Sequence, residues 1–62
     1  MDALKITTIR AWIQRRRDKG QEPNADDIWN RIHRNWPTLS NERAEAIFQA
    51  ADRSAKRYIA SN

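Results

Sequence analysis

Arg15, Arg16, Arg17 and Lys19 put four cations into five consecutive positions. Arg53, Lys56 and Arg57 form a second group near the other end of the chain, and Arg10, Arg31 and Arg34 lie between or beside the two. Arginine dominates both groups. Its planar fork of N–H donors matches the oxygens of a phosphate or a carboxylate two at a time. Side chains that grip phosphates in this way supply affinity without sequence specificity, and the binding weakens steeply with salt. The expectation is therefore a backbone-gripping patch made of Arg15, Arg16, Arg17, Lys19, Arg53, Lys56 and Arg57. The competing reading is a solvated helix end, in which some arginines pair with Asp18, Glu22, Asp26 or Asp27.

A second surface is drawn from Arg43, Ala46, Ala50, Arg53 and Arg57, which share the outer face of one helical pattern. Alanines between arginines leave a flat strip that another helix can approach, with charged contacts at the rim. Alanine is also the best helix former on any exposed face, which accounts for the same residues without a partner.

Catalytic chemistry finds little support. His33 is the only histidine, and its neighbours at three and four positions' distance are Trp29, Asn30, Trp36 and Pro37. No helical pair of metal ligands arises from that spacing. A single glycine rules out a glycine-rich phosphate loop, and the absence of cysteine rules out thiolate metal sites, disulfides and a thiol nucleophile. The serines and threonines have no partner base in view. The expectation is a non-enzymatic protein with no catalytic residues, no metal site, no cofactor and no small-molecule substrate.

These side chains must be positioned by helices, because one glycine and two prolines are the only strong breakers in 62 residues. The first helix is expected over residues 3–19, with Ile6, Ile9, Trp12 and Ile13 on one stripe. The cations at its end meet the negative pole of the helix dipole, and Gly20 supplies a left-handed closing residue. The second is expected over residues 25–35. Asn24 is its cap, Asp27 takes the capping-box position, and Ile28, Trp29, Ile32 and Trp36 form the stripe. Pro37 disfavours helical geometry at Trp36 and ends it. The third is expected over residues 41–59, capped by Ser40, with Ala44, Ile47, Phe48, Ala51, Ala55, Tyr58 and Ile59 on one face and fraying beyond. Three stripes and two short connections make an all-α, three-helix bundle, one domain over residues 1–62 with a single core. Trp12 and Trp29 fall at stripe edges, where part of each ring is left for contact.

The stretch NWPTLSNE, from Asn35 to Glu42, has the length of a helix-turn-helix turn but no glycine. A recognition helix presents its first residues to base edges. Here Glu42 and Glu45 near the start of the third helix, and Asp26 and Asp27 at the start of the second, would meet phosphates with like charge. The corner therefore reads as a bundle turn that is only helix-turn-helix-like.

Charged residues make up 32% of the chain and the formal net charge is +4, which favours acidic partners such as nucleic acid, anionic lipid or an acidic protein surface, the competing reading being that the surplus only aids solubility. No apolar run approaches the roughly 18 residues of a membrane span, and Met1 with DALKITTIR is not a signal-peptide pattern. A cysteine-free domain of this size fits a reducing compartment, and a cytoplasmic location is expected. A small basic DNA-associated accessory or regulatory protein of a phage or mobile element fits this composition. The alternatives are a protein–protein module that inhibits or adapts a larger partner and a small structural subunit of a viral assembly. A homodimer remains open, because small domains gain stability by association.

Overall fold

A computed structural model describes residues 2–56. It is an all-helical three-helix bundle: α1 spans Ala3–Asp18, α2 Ala25–Asn35 and α3 Asn41–Ser54. No strand occurs among the described residues. The core is the meeting of the three apolar stripes. Ile9 and Ile13 come from α1, Ile28 and Ile32 from α2, and Ala44, Ile47 and Ala51 from α3, with Ala55 just beyond it. Ile6, Trp12, Trp29, Trp36, Leu39 and Phe48 pack around this centre and keep part of their surface outside. α3 is the central element, packed most extensively against α1 and less against α2, while α1 and α2 touch each other least.

Local chemistry sets the helix ends. The Asn24 side-chain oxygen accepts from the Asp27 amide at 2.8 Å, and the Asp27 carboxylate accepts from the Asn24 amide at 3.3 Å. This reciprocal pair satisfies two donors that the first turn of α2 would leave free. Ser40 Oγ accepts from the Arg43 amide at 3.2 Å and starts α3 in the same manner. α1 closes on Gly20, whose φ of +77° lies in the left-handed region. The Gly20 and Gln21 amides donate to the Arg17 and Arg16 carbonyls, both at 2.9 Å. α2 stops at Trp36, where Pro37 follows, and a turn donates the Leu39 amide to the Trp36 carbonyl at 3.1 Å.

The third helix ends earlier than its apolar pattern implies. It was expected to run through residue 59, but Ala55 has ψ 135° and leaves the helical path. The cause is a capture by α1. Gln14 uses its amide as a backbone mimic: Oε1 accepts from the Lys56 amide at 2.6 Å and Nε2 donates to the Lys56 carbonyl at 3.1 Å. Arg17 Nη1 donates to the Ala55 carbonyl at 3.1 Å. Carbonyls and amides that a longer helix would pair internally are thus paired across the bundle. Arg57, Tyr58 and Ile59 lie outside the described residues.

The two N-termini of α1 and α3 are also tied. Arg43 Nε donates to Asp2 Oδ2 at 3.3 Å, and Nη2 donates to Asp2 Oδ1. The hydrogen bond from Arg43 holds the Asp2 carboxyl below its ordinary value of 3.8, against the opposing effect of burial. A folded-state value below the unfolded one gives a contribution that is full above 3.8 and is lost as the pH falls through the folded value. Asp2→Asn is therefore expected to lower the melting temperature slightly at neutral pH. The difference from the parent should close in strongly acidic buffer. Thermal melts of both chains across that range check it, and a difference that persists at the acid end would assign the effect to something other than this ion pair.

Candidate nucleic-acid interface

Arg17 is the residue on which sequence and structure part most clearly. Expected in the phosphate-gripping run, it is 1% exposed and is the largest fully buried side chain among the described residues. Its Nε and Nη2 donate to the two Glu22 carboxylate oxygens at 3.0 and 2.9 Å. Nη2 also donates to Asp52 Oδ1 at 2.6 Å. The Glu22 hydrogen bonds raise its pKa first, burial opposes them, and Asp52 adds to the rise, so the guanidinium stays charged throughout the working pH range. The run turns once every 3.6 residues, so three consecutive arginines cannot share a face. The first two point out and the third points in. Arg17 is a structural cation, and no fork is left for a phosphate.

Arg15, Arg16 and Lys19 are exposed, as are Arg53 and Lys56. The first three do not stand alone. Arg16 Cζ lies 5.0 Å from the centre of the Trp12 ring, and Arg31 Cζ of α2 lies 5.7 Å from the same ring. A guanidinium over an indole face is attracted by the ring's quadrupole. Around this cluster runs a groove between α1 and α2, lined by Trp12, Arg16, Asp27, Asn30, Arg31 and Arg34. A second hollow shares Trp12 and Arg16 and continues past Arg15, Lys19 and Gln21. Five cations therefore meet on the α1–α2 side around one half-buried tryptophan. Arg15, Arg16, Lys19, Arg31 and Arg34 take part in none of the ion pairs among the described residues.

Helix geometry explains the convergence. Trp12 and Arg16 are four apart and lie one above the other on α1; Arg31 and Arg34 are three apart and neighbour each other on α2. The shared core of Ile13 and Ile28 brings the two helices together and sets these edges side by side. Arg31 and Arg34 carry no signal in the sequence beyond their place on the outer side of the second stripe. Only the packing of α2 against α1 joins them to Trp12.

The second expected surface is divided. Arg43 is committed to Asp2, Ala50 is half-buried, and Ala46 and Arg53 are exposed. Arg57, which belongs to both expected sites, lies outside the described residues. Another hollow, between α2 and α3, is lined by Ala25, Asp26, Trp29, Glu45 and Phe48. His33 sits beside it, its ring centroid 5.0 Å from that of Trp29. Its Nδ1 lies 3.2 Å from the Trp29 carbonyl, which can only accept, so that nitrogen carries the proton.

Among the described residues no three His, Asp or Glu side chains are grouped to hold a metal ion, and no helix is long and apolar enough to cross a membrane. No family model matches the chain, and no curated protein or solved structure matches it either.

Proposed function

We propose that this is a small nucleic-acid-associated binding protein that grips phosphates through the α1–α2 face. One observation carries the reading: Arg15, Arg16, Lys19, Arg31 and Arg34 converge and take part in no ion pair among the described residues, although Asp27 lines the same groove. Glu22 is paired with Arg17, and Asp27 closes the α2 cap. Like charges are held close on a folded surface, and an anion relieves their repulsion. Duplex base reading by a helix N-terminus is not part of the proposal, because Asp26, Asp27, Glu42 and Glu45 are exposed there. The basic composition and small size support an accessory or regulatory role in a phage or mobile element, acting in the host cytoplasm.

The test is fluorescence anisotropy of labelled DNA at low and near-physiological salt, for the parent chain and for the triple variant Arg16→Gln, Arg31→Gln and Arg34→Gln. Each phosphate contact contributes roughly 0.7 to 0.9 to the slope of log affinity against log salt. The triple variant is expected to lower that slope by about two units and to weaken binding at least tenfold, with an unchanged circular dichroism spectrum. Equal slopes for the two chains would remove this face from the proposal.

The α2–α3 hollow favours a second reading, a protein-docking module, because Trp29 and Phe48 each leave apolar surface open to it. A chain that binds no nucleic acid at physiological salt, but loses a protein partner on Ala25→Glu, at the exposed edge of that hollow, without unfolding, would decide for that reading.

A further inference from the structure

The α1–α2 groove carries a carboxylate and a carboxamide beside its cations, a lining that suits a base as well as a phosphate. Resting on the reading of this face as a nucleic-acid interface, we propose that the groove takes an unpaired nucleobase of a single-stranded nucleic acid, stacked on the Arg16–Trp12–Arg31 cluster.

Three features of the lining lead there. First, Asp27 and Asn30 line the groove together with Trp12. A carboxylate in this position repels a phosphate oxygen but accepts from the exocyclic amino group or ring N–H of a base. Asn30 is exposed and offers both a donor and an acceptor to a base edge. Second, cations line the groove and its continuation toward Lys19, where a backbone leaving a stacked base would run. Third, the ring is already engaged by two flat guanidinium groups at 5.0 and 5.7 Å. Unpaired bases stack on both aromatic rings and arginine planes, so a base can extend this array or replace one of its members. The displaced guanidinium is then free to take the neighbouring phosphate. A duplex keeps its bases stacked on one another and presents only phosphates to such a groove, so the site distinguishes single strands from duplexes.

The combination of aromatic platform and positive track is the general means by which single strands are held without sequence preference. Trp12 is half-buried and packed against the core, while of the two arginines over it Arg16 is exposed and Arg31 half-buried.

The experiment uses the parent chain and three labelled ligands: a mixed-sequence single strand, the same strand with abasic sugar–phosphate units, and a duplex with the same total number of phosphates. The single strand is expected to bind about tenfold or more tightly than the abasic strand. With ¹⁵N-labelled protein, the indole N–H resonance of Trp12 is expected to shift far more with the base-bearing strand than with the abasic one. Trp12→Phe assigns that resonance, and Arg31→Gln, which removes one guanidinium of the cluster, is expected to narrow the affinity gap while leaving the fold intact. Equal affinity for the base-bearing and abasic strands, with an unmoved Trp12 resonance, overturns stacking and leaves the phosphate-gripping face standing. A preference for the duplex overturns it likewise. Absence of binding to all three ligands overturns the nucleic-acid reading itself, and this proposal with it.

Discussion

Arg17→Met is expected to destabilise the fold by about 3 kcal/mol, the low end of what removing one member of a buried ion pair costs. Methionine keeps most of the aliphatic stem, so the change isolates the guanidinium. Three sets of contacts disappear together: the two-point grip on Glu22, the 2.6 Å bond to Asp52, and the donor to the Ala55 carbonyl. Glu22 is 55% exposed and Asp52 33% exposed, so both carboxylates regain water, which keeps the cost from reaching the upper end. A domain of this length has a total stability of roughly 3–9 kcal/mol. The variant therefore sits near its folding threshold. Arg17→Lys keeps the charge but reaches only one partner at a time, and is expected to recover less than half of the loss. Urea unfolding followed by tryptophan fluorescence measures both. Unchanged midpoints would mean that Gln14 alone holds the end of α3 and that the buried guanidinium is replaceable.

Arg17 also shows where sequence reading succeeds and where it stops. Periodicity placed all three helices, and the caps at Asn24 and Ser40 and the turn at Gly20 follow from rules that act within a few residues. Each depends on chemistry the chain carries locally. The burial of Arg17 does not. Its partners Glu22 and Asp52 are 5 and 35 positions away, and only the fold brings the second within reach. The end of α3 fails for the same reason. Its apolar stripe continues past Ser54, but Gln14, 42 positions from Lys56, competes for the backbone and wins. Long-range hydrogen bonds leave no periodic mark.

The candidate site divides along the same line. Arg15, Arg16 and Lys19 were legible because a run of cations is visible in any reading, and the edge position of Trp12 was legible from its angle on the α1 stripe. That Arg31 and Arg34 stand beside that tryptophan follows from how α2 lies on α1, which no spacing rule supplies. A run of like charges is thus a poor unit of function on a helix. The useful unit is the set of cations that packing gathers on one face, here drawn from two helices and excluding one member of the run.

Ile47→Ala is expected to cost roughly 3–5 kcal/mol, in the upper part of the range for large-to-small changes in a core. Ile47 has no exposed surface, and its helical neighbours toward the core are Ala44 and Ala51, also fully buried. Alanines have no length with which to fill the space, and Ile13 and Ile32 across the interface belong to helices whose ends are tied by the Gln14, Arg17 and Asn24 hydrogen bonds. The cavity therefore persists rather than collapsing, and a persistent cavity is what makes such substitutions expensive. Phe48→Ala, one residue on, removes a larger side chain but one that is only half-buried, and its expected cost is smaller. Equilibrium urea curves for the two variants give the order directly. Should Phe48→Ala prove the more damaging, the centre of the bundle lies nearer the α2–α3 hollow than the Ile13–Ile32–Ile47 contact. That hollow would then be closed core, unable to receive a partner, and the docking reading built on Trp29 and Phe48 would fall.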